Sequence, residues 1–243
     1  MSISELHREL WWIDLGLVDY DQAHVFQRAA ARLRARGVLP QDVLILCEHP
    51  AVVTLGRSSK AGNLLATNEE LRRNNVLLRE VERGGDVTVH EPGQVVGYPI
   101  MSLARHTPDL HWYLRQVEEA LIQSLDAIGL RASRSAGQTG VWIDARKIAS
   151  IGVHAREWVT SHGFALNAFN SLSTFRFVVP CGLPGVTMTS IALECASAVR
   201  REPNPNELQQ LLIHNFAKTF ALSARTAPHE SVSAIRAEMK NGK

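Results

Sequence analysis

Apolar and polar positions alternate in changing periods along the chain, and those periods divide it into elements. Large apolar residues crowd LWWIDLGLV, residues 10–18, over a length that suits a strand. From Asp19 the period lengthens. Tyr20, Ala23, Phe26, Ala30 and Leu33 share one face of a helix that Asp19 can cap and Gly37 can end, with Arg28, Arg32 and Arg36 off that face. Residues 42–50, DVLILCEHP, read as a buried strand, and AVVTLGRS continues extended. Thr67 and Glu70 fit a capping box on a short helix, and VLLREV, residues 76–81, is a further strand. Val87 and Val89 alternate with Thr88 and His90. A turn at Pro92-Gly93 then returns QVVGYPIM as a strand, so an ordinary glycine-containing hairpin accounts for this stretch as well as a ligand site does.

The second half is patterned as clearly. Pro108-Asp109 opens a long helix carried by Leu110, Tyr113, Leu114, Val117, Leu121, Leu125 and Ile128, and Gly129 closes it. GVWID and KIASIGVHAREWV form a hairpin about a two-residue turn at Ala145-Arg146, and SHGFALNAF pairs next. A helical turn at SLSTF precedes FVVPCGL, and a short helix covers residues 190–198. After the Pro203-Asn204-Pro205 break, Asn206 can cap a last helix built on Leu208, Leu211, Leu212, Phe216 and Phe220. Residues 223–243 are polar without a clear period and are expected to fray. No repeat or linker interrupts the chain, so residues 1–243 are expected to form one domain. Adjacent hairpins with a few long helices predict an α+β fold: a mixed, largely antiparallel sheet packed with helices.

Composition narrows the functional classes. The 243 residues are 45% hydrophobic and 21% charged, the balance of a chain with a real core, and a net charge of +2 gives no reason to expect a nucleic-acid partner. The Arg cluster reads first as a solvated face and second as a docking patch for an acidic partner. Three cysteines without CxxC spacing, Cys47, Cys181 and Cys195, fit neither a disulfide framework nor a cysteine zinc site. No signal-peptide pattern and no bilayer-length apolar run is present, so a cytoplasmic protein without membrane contact is expected. The GxxxxGK[ST] phosphate loop is absent. No extra apolar face argues for an oligomer, so a monomer is expected.

Two stretches carry candidate chemistry. Cys181 lies in Pro-Cys-Gly-Leu-Pro-Gly, a loop context rather than a core strand, whereas Cys47 and Cys195 sit in apolar runs. A thiolate is the nucleophile, and a free thiol with a pKa of ~8.5 needs a nearby cation or base. Lys147, at the head of the alternating segment, can supply either if the fold brings it close, since desolvation lowers a lysine's pKa. Its residue context alone reads as a solvated turn lysine. His90, His154 and His162 compete as bases, but their spacing is not a zinc motif, and no metal is expected. Gly84-Gly85 permits close backbone approach to a ligand, and N–H groups there and at Gly182 are candidates for polarising a carbonyl.

Four blocks in order, HPAVVTLGRSS, RGGDVTVHEPGQVVGYPI, GVWIDARKIASIGVHAREWVTSHGFALN and FVVPCGLPGVTMTSI, resemble the octanoyltransferases of lipoate biosynthesis, from about residue 10 to about residue 220. The resemblance implies the catalytic fold shared with biotin- and lipoate-protein ligases and a cofactor-free reaction. An octanoyl group passes from octanoyl-acyl carrier protein to a lysine of a lipoyl domain, in 2-oxoacid dehydrogenases or the glycine cleavage H protein. It implies Cys181 as the acyl-carrying thiol and Lys147 as its assisting base, then acid. It also places an acyl pocket on Arg83, Gly84, Gly85, Asp86, Val87, Thr88, Val89 and His90, on Ser150, Ile151 and Gly152, and on Gly163, Phe164 and Ala165. Asp86 and Glu91 stand where the family pattern has Gln and Gly, which leaves the polar contacts at the acyl-carrier end open. Lining of the tunnel is expected from Val87, Val89, Ile151, Phe164 and Leu166. With each buried methylene contributing about 0.8 kcal/mol, tunnel depth can select chain length. The rival readings are an ATP-dependent lipoate- or biotin-protein ligase on the same fold, a non-catalytic binder of acyl carrier protein or lipoyl domains, and a related amidotransferase serving one lipoyl protein.

Overall fold

The computed structural model describes residues 8–182 and 185–241, with only the backbone of Cys181 and Asn241. In chain order the elements are β1 (Glu9–Leu17), α1 (Tyr20–Ala35), β2 (Asp42–Glu48), β3 (Val52–Leu55), α2 (Asn68–Arg73), β4 (Leu77–Glu80), β5 (Val87–His90), β6 (Gln94–Ile100) and α3 (Leu110–Ala127). There follow β7 (Ser133–Ser135), β8 (Gln138–Ile143), β9 (Arg146–Arg156), β10 (Val159–Asn167), β11 (Thr187–Met188), α4 (Ile191–Ser197), α5 (Pro205–Thr219), β12 (Ser223–Thr226) and α6 (His229–Asn241).

Among the described residues the strands form two sheets. The large one runs β12-β1-β2-β6-β10-β9-β8-β7, with β11 added along β9, and the small one runs β4-β3-β5. The middle of the large sheet is antiparallel, while β1 pairs parallel with β2 and β12. This is the expected α+β architecture. Strand β2 shows why both sheet faces are covered. Leu44 and Leu46 join a core with α3 and α5, whereas Val43, Ile45 and Cys47 join a second core with α1 and α6. A strand buried on both faces reads as a continuous apolar run, as DVLILC does. A third, smaller core lies under the small sheet around Val53, Leu71, Val89 and Phe175.

Several expectations change. β5 and β6 do not form a hairpin: β5 pairs with β3 in the small sheet, and β6 with β2 and β10 in the large one. The Pro92-Gly93 turn is a corner between sheets. Gly93 has φ +86°, and a Cβ there would lie 2.8 Å from the Asn170 nitrogen. Glu91, which lacks a positive φ, is buried at this corner and accepts from Asn170 Nδ2 (3.0 Å) and the Thr174 N–H (3.1 Å). The β8–β9 loop is Asp144-Ala145, one residue earlier than expected, because Ile143 pairs with Arg146 and Asp144 takes φ +50°. Asp19 makes no side-chain cap bond. Asn204 rather than Asn206 caps α5, with Pro205 in the first turn where its missing N–H costs nothing.

The largest correction concerns residues 223–241, expected to fray. β12 extends the large sheet beside β1, and α6 packs on α1 with Ile235 fully buried. Arg32 of α1 and Arg36 at its C-cap both reach Glu238, at 2.9 and 2.8 Å, so two members of the supposedly solvated Arg face hold this helix. Polar composition concealed the pattern, because α6 buries only a narrow stripe.

Candidate active site

A cavity of about 240 Å³ opens between the 83–88 segment of the small sheet and strands β6, β9 and β10 of the large one. It is smaller than the roughly 300–1,000 Å³ of drug-sized sites and exposes mainly carbon, a fit for one slender apolar group. Glycines make the space. Gly152 and Gly163 face each other across β9 and β10, and a Cβ on Gly163 would meet the Gly97 carbonyl oxygen at 2.1 Å. A Cβ on Gly97 would strike the Phe164 ring at 2.2 Å, so Gly97 seats that ring.

The cavity gathers most of the residues expected at the acyl pocket: Arg83, Gly85, Asp86, Val87, Thr88, His90, Ser150, Ile151, Gly152, Gly163, Phe164 and Ala165. Three expected members lie elsewhere. Gly84 donates its N–H to Val153 O (2.8 Å), bracing the loop against β9. Val89 packs in the small core and Leu166 in the α3–α5 core, each on the same strand face as a lining residue, Val87 or Phe164, but two residues further along its strand. Tyr20, Val96, Tyr98 and Gly137 to Thr139 also line the cavity and were not anticipated. Tyr20 read as an ordinary helix-face residue. For Gly137-Gln138-Thr139 the glycine was the one usable local signal.

Lys147 is among these lining residues, and burial overturns the solvated-turn reading. Its side chain is only 2% exposed, with Nζ donating to Thr139 O at 3.0 Å and lying 5.3 Å from the Trp142 ring centroid. Strand β9 presents it, and β11 pairs at the same point, Met188 opposite Lys147, with Thr189 N–H donating to Lys147 O (2.9 Å).

The backbone of Pro180–Gly182 forms a 3-10 turn set against Asp86, one of the lining residues. The Cys181 side chain and Leu183-Pro184 lie outside the described residues. Asp86 organises this turn. Its carboxylate accepts from Asn63 Nδ2 (2.6 Å) and Val87 N–H (2.8 Å), and a Cβ on Gly182 would lie 2.3 Å from Asp86 Oδ2. Asn63 O in turn accepts the Val179 N–H (2.8 Å). The start of the 57–63 loop is strapped down, since Gly56, Arg57 and Ser58 donate to Asp86, Arg83 and Gly85 carbonyls. The N–H groups of Gly84 and Gly182, considered for carbonyl polarisation, are already committed, the latter to Val179 O at 2.9 Å.

The inner end of the cavity is aromatic and polar. Tyr20 stacks on His90 with ring centroids 5.8 Å apart. His90 Nδ1 donates to Gln94 Oε1 (2.8 Å), whose amide nitrogen is held by Val89 O and Asn167 Oδ1. His49 Nδ1 donates to Val18 O and its Nε2 accepts from the Tyr98 hydroxyl, both at 2.7 Å. These arrangements suit neutral imidazoles. Burial pushes His90 down to about 3 and lowers His49 and His162 as well. Burial also raises the Tyr20 and Tyr98 phenols. His154, at the far end of β9, does not line the cavity. His24, Glu82 and His162 bring donor atoms within 4.8 Å of one another, but the Arg28 guanidinium also approaches Glu82, at 3.8 Å, and competes for this carboxylate. Cys47 and Cys195 are buried free thiols.

The lipoyl protein ligase A/B catalytic domain matches residues 19–217. An octanoyltransferase of Christiangramia forsetii is 39% identical over 230 residues, 88% of this chain and 97% of that protein. One of Geotalea uraniireducens is 48% identical over 189 residues, covering 77% and 84%. One of Synechococcus elongatus is 40% identical over 227 residues, covering 93% and 94%. Two solved structures share the fold. Lipoate-protein ligase A bound with ATP superposes with a TM-score of 0.71 at 16% identity, covering 97% of this chain and 95% of that one. The bi-partite lipoate protein ligase of Thermoplasma acidophilum superposes with a TM-score of 0.70 at 18% identity, covering 96% and 93%. With the matched domain spanning most of the chain and relatives this similar over nearly their whole length, the chain belongs to the octanoyltransferases of the lipoyl protein ligase A/B catalytic-domain family.

Proposed function

We propose that this acyltransferase moves an octanoyl group from octanoyl-acyl carrier protein to the lysine of a lipoyl domain by way of a thioester on Cys181. The observation that carries the reading is a lysine buried in the wall of a small apolar cavity, with the Pro180–Gly182 turn set against Asp86, another residue of that wall. In the first step the Cys181 sulfur attacks the donor thioester carbonyl, a new C–S bond forms, the old one breaks, and the carrier's thiol leaves with a proton. In the second, the acceptor amine attacks the Cys181 thioester, an amide forms, and the Cys181 thiol is restored. Lys147 takes the proton from the attacking group and returns it to the leaving sulfur. The octanoyl tail lies against Ile151, Gly163 and Phe164. Thioester exchange is near balance and aminolysis is downhill, so no nucleotide is needed. The acceptors are lipoyl domains of 2-oxoacid dehydrogenases and the glycine cleavage H protein, and the reaction takes place in the cytoplasm. Among the described residues no helix is long and apolar enough to cross a membrane.

The test is intact-protein mass after incubation with octanoyl-acyl carrier protein without ATP. An octanoyl adduct that neutral hydroxylamine removes, that Cys181→Ala does not form, and that a lipoyl domain discharges is expected. Acylation of the lipoyl domain only with octanoate and ATP would establish a ligase instead.

A further inference from the structure

Glu118 of α3 is fully buried and lies outside the cavity, yet it shares a peptide plane with Lys147. The Gly140 N–H donates to Glu118 Oε1 at 3.1 Å, and the Thr139 carbonyl of that same peptide accepts from Lys147 Nζ at 3.0 Å. One face of the peptide is thus held by a carboxylate and the other by the ammonium. The plane does not sit there by default. Gly140 has φ +133°, a conformation L side chains rarely adopt, and a Cβ at this position would lie 2.7 Å from Lys147 Cε and 2.6 Å from Ala149 O. Such conformations persist only where surrounding contacts over-determine them. The other oxygen of Glu118, Oε2, is taken by Arg115 Nη1 (2.5 Å) and Arg134 Nε (3.1 Å).

We infer that Glu118 is a positioning residue for the reaction. It clamps the Thr139–Gly140 peptide so that the Thr139 carbonyl aims Lys147 Nζ, and it does so as a two-oxygen acceptor that serves Gly140 and the two arginines together. The inference rests on the proposed role of Lys147.

The chemistry supplies a rescue test. In Glu118→Gln a single oxygen remains, and the two guanidinium groups outcompete a neutral peptide N–H for it. Gly140 then loses its acceptor. The expected result is a fall of tenfold or more in kcat, with the KM for octanoyl-acyl carrier protein within twofold. Adding Arg115→Met and Arg134→Met releases that oxygen to Gly140, and kcat should return to within threefold of wild type although the three ion pairs that these arginines make with Glu118 and Glu119 are gone. A role limited to tying α3 to β8 predicts the opposite, a further loss in the triple variant. Hydrogen exchange at the Gly140 amide in the Glu118→Gln protein provides a readout independent of turnover and of the triple variant's folding, and faster exchange than wild type is expected. Unchanged exchange, or a wild-type kcat in Glu118→Gln, overturns the inference. Lys147→Ala is assayed alongside. If it forms the thioester at the wild-type rate, the reading of Lys147 fails, while the exchange at Gly140 still reports whether the clamp exists.

Discussion

Acid should destabilise this protein in a pH range where its carboxylates are still silent. His90 is buried and neutral, with burial pushing it down to about 3, against about 6.5 for an unfolded histidine. Between those values the unfolded chain binds a proton that the folded chain does not. The contribution of His90 is therefore fully present above pH 6.5 and is lost as pH falls toward 3. Moving from pH 7.5 to 5.0 should cost about 2 kcal/mol from His90 alone. His49 and His162, also lowered by burial, act in the same direction. Carboxylates such as Asp21, lowered by Arg79, and Glu194, lowered by Arg146, lose their contribution only as pH falls below about 4, so the window from 6.5 to 5 belongs to the imidazoles. Urea unfolding at pH 7.5 and 5.0 measures the change, and His90→Gln, whatever it does to absolute stability, should shrink it by about 2 kcal/mol. Parallel losses in the two proteins would refute the reasoning.

Three further outcomes follow from the packing. Gly163→Ala should lower stability by about 1–3 kcal/mol and impair acyl-enzyme formation, because its Cβ would sit 2.1 Å from the Gly97 carbonyl oxygen; thermal melting and adduct mass check both. Ile235→Ala should cost about 2–5 kcal/mol in urea unfolding, since α6 is part of the core and not a loose tail. Asp86→Ala should cost about 1–2 kcal/mol, discounted for its partial exposure, and speed amide exchange at Val179, whose partner Asn63 it orients.

Much of the architecture was legible because burial imposes short-range periods. The capping box at Thr67, the α3 boundaries at Asp109 and Gly129, and the alternation through β9 all appear where local pattern put them. What misled was information that periodicity does not contain. Val87 through Gln94 looks like a hairpin, since nothing local says that the strands after and before Pro92-Gly93 belong to different sheets. Residues 223–241 looked unpatterned, because a helix that buries one stripe and anchors Glu238 to two arginines needs few apolar residues.

The site divides the same way. Local turn chemistry singled out the Pro-Cys-Gly loop, and the resemblance carried by the ordered motif blocks singled out Lys147 and the glycine-rich 83–88 segment, whereas local context alone read Lys147 as a solvated turn lysine. Tertiary structure alone decided that Lys147 is buried, that Asp86 and Asn63 hold the Pro180–Gly182 turn, and that Tyr20, Tyr98 and His90 close the far end of the cavity. It also decided that Glu118, on an apolar helix 22 residues before Gly140, reaches the peptide behind the lysine. Each of these contacts joins segments far apart in the chain. A pattern read over a few turns or strands registers which face is buried, and it carries no information about which distant residue meets that face.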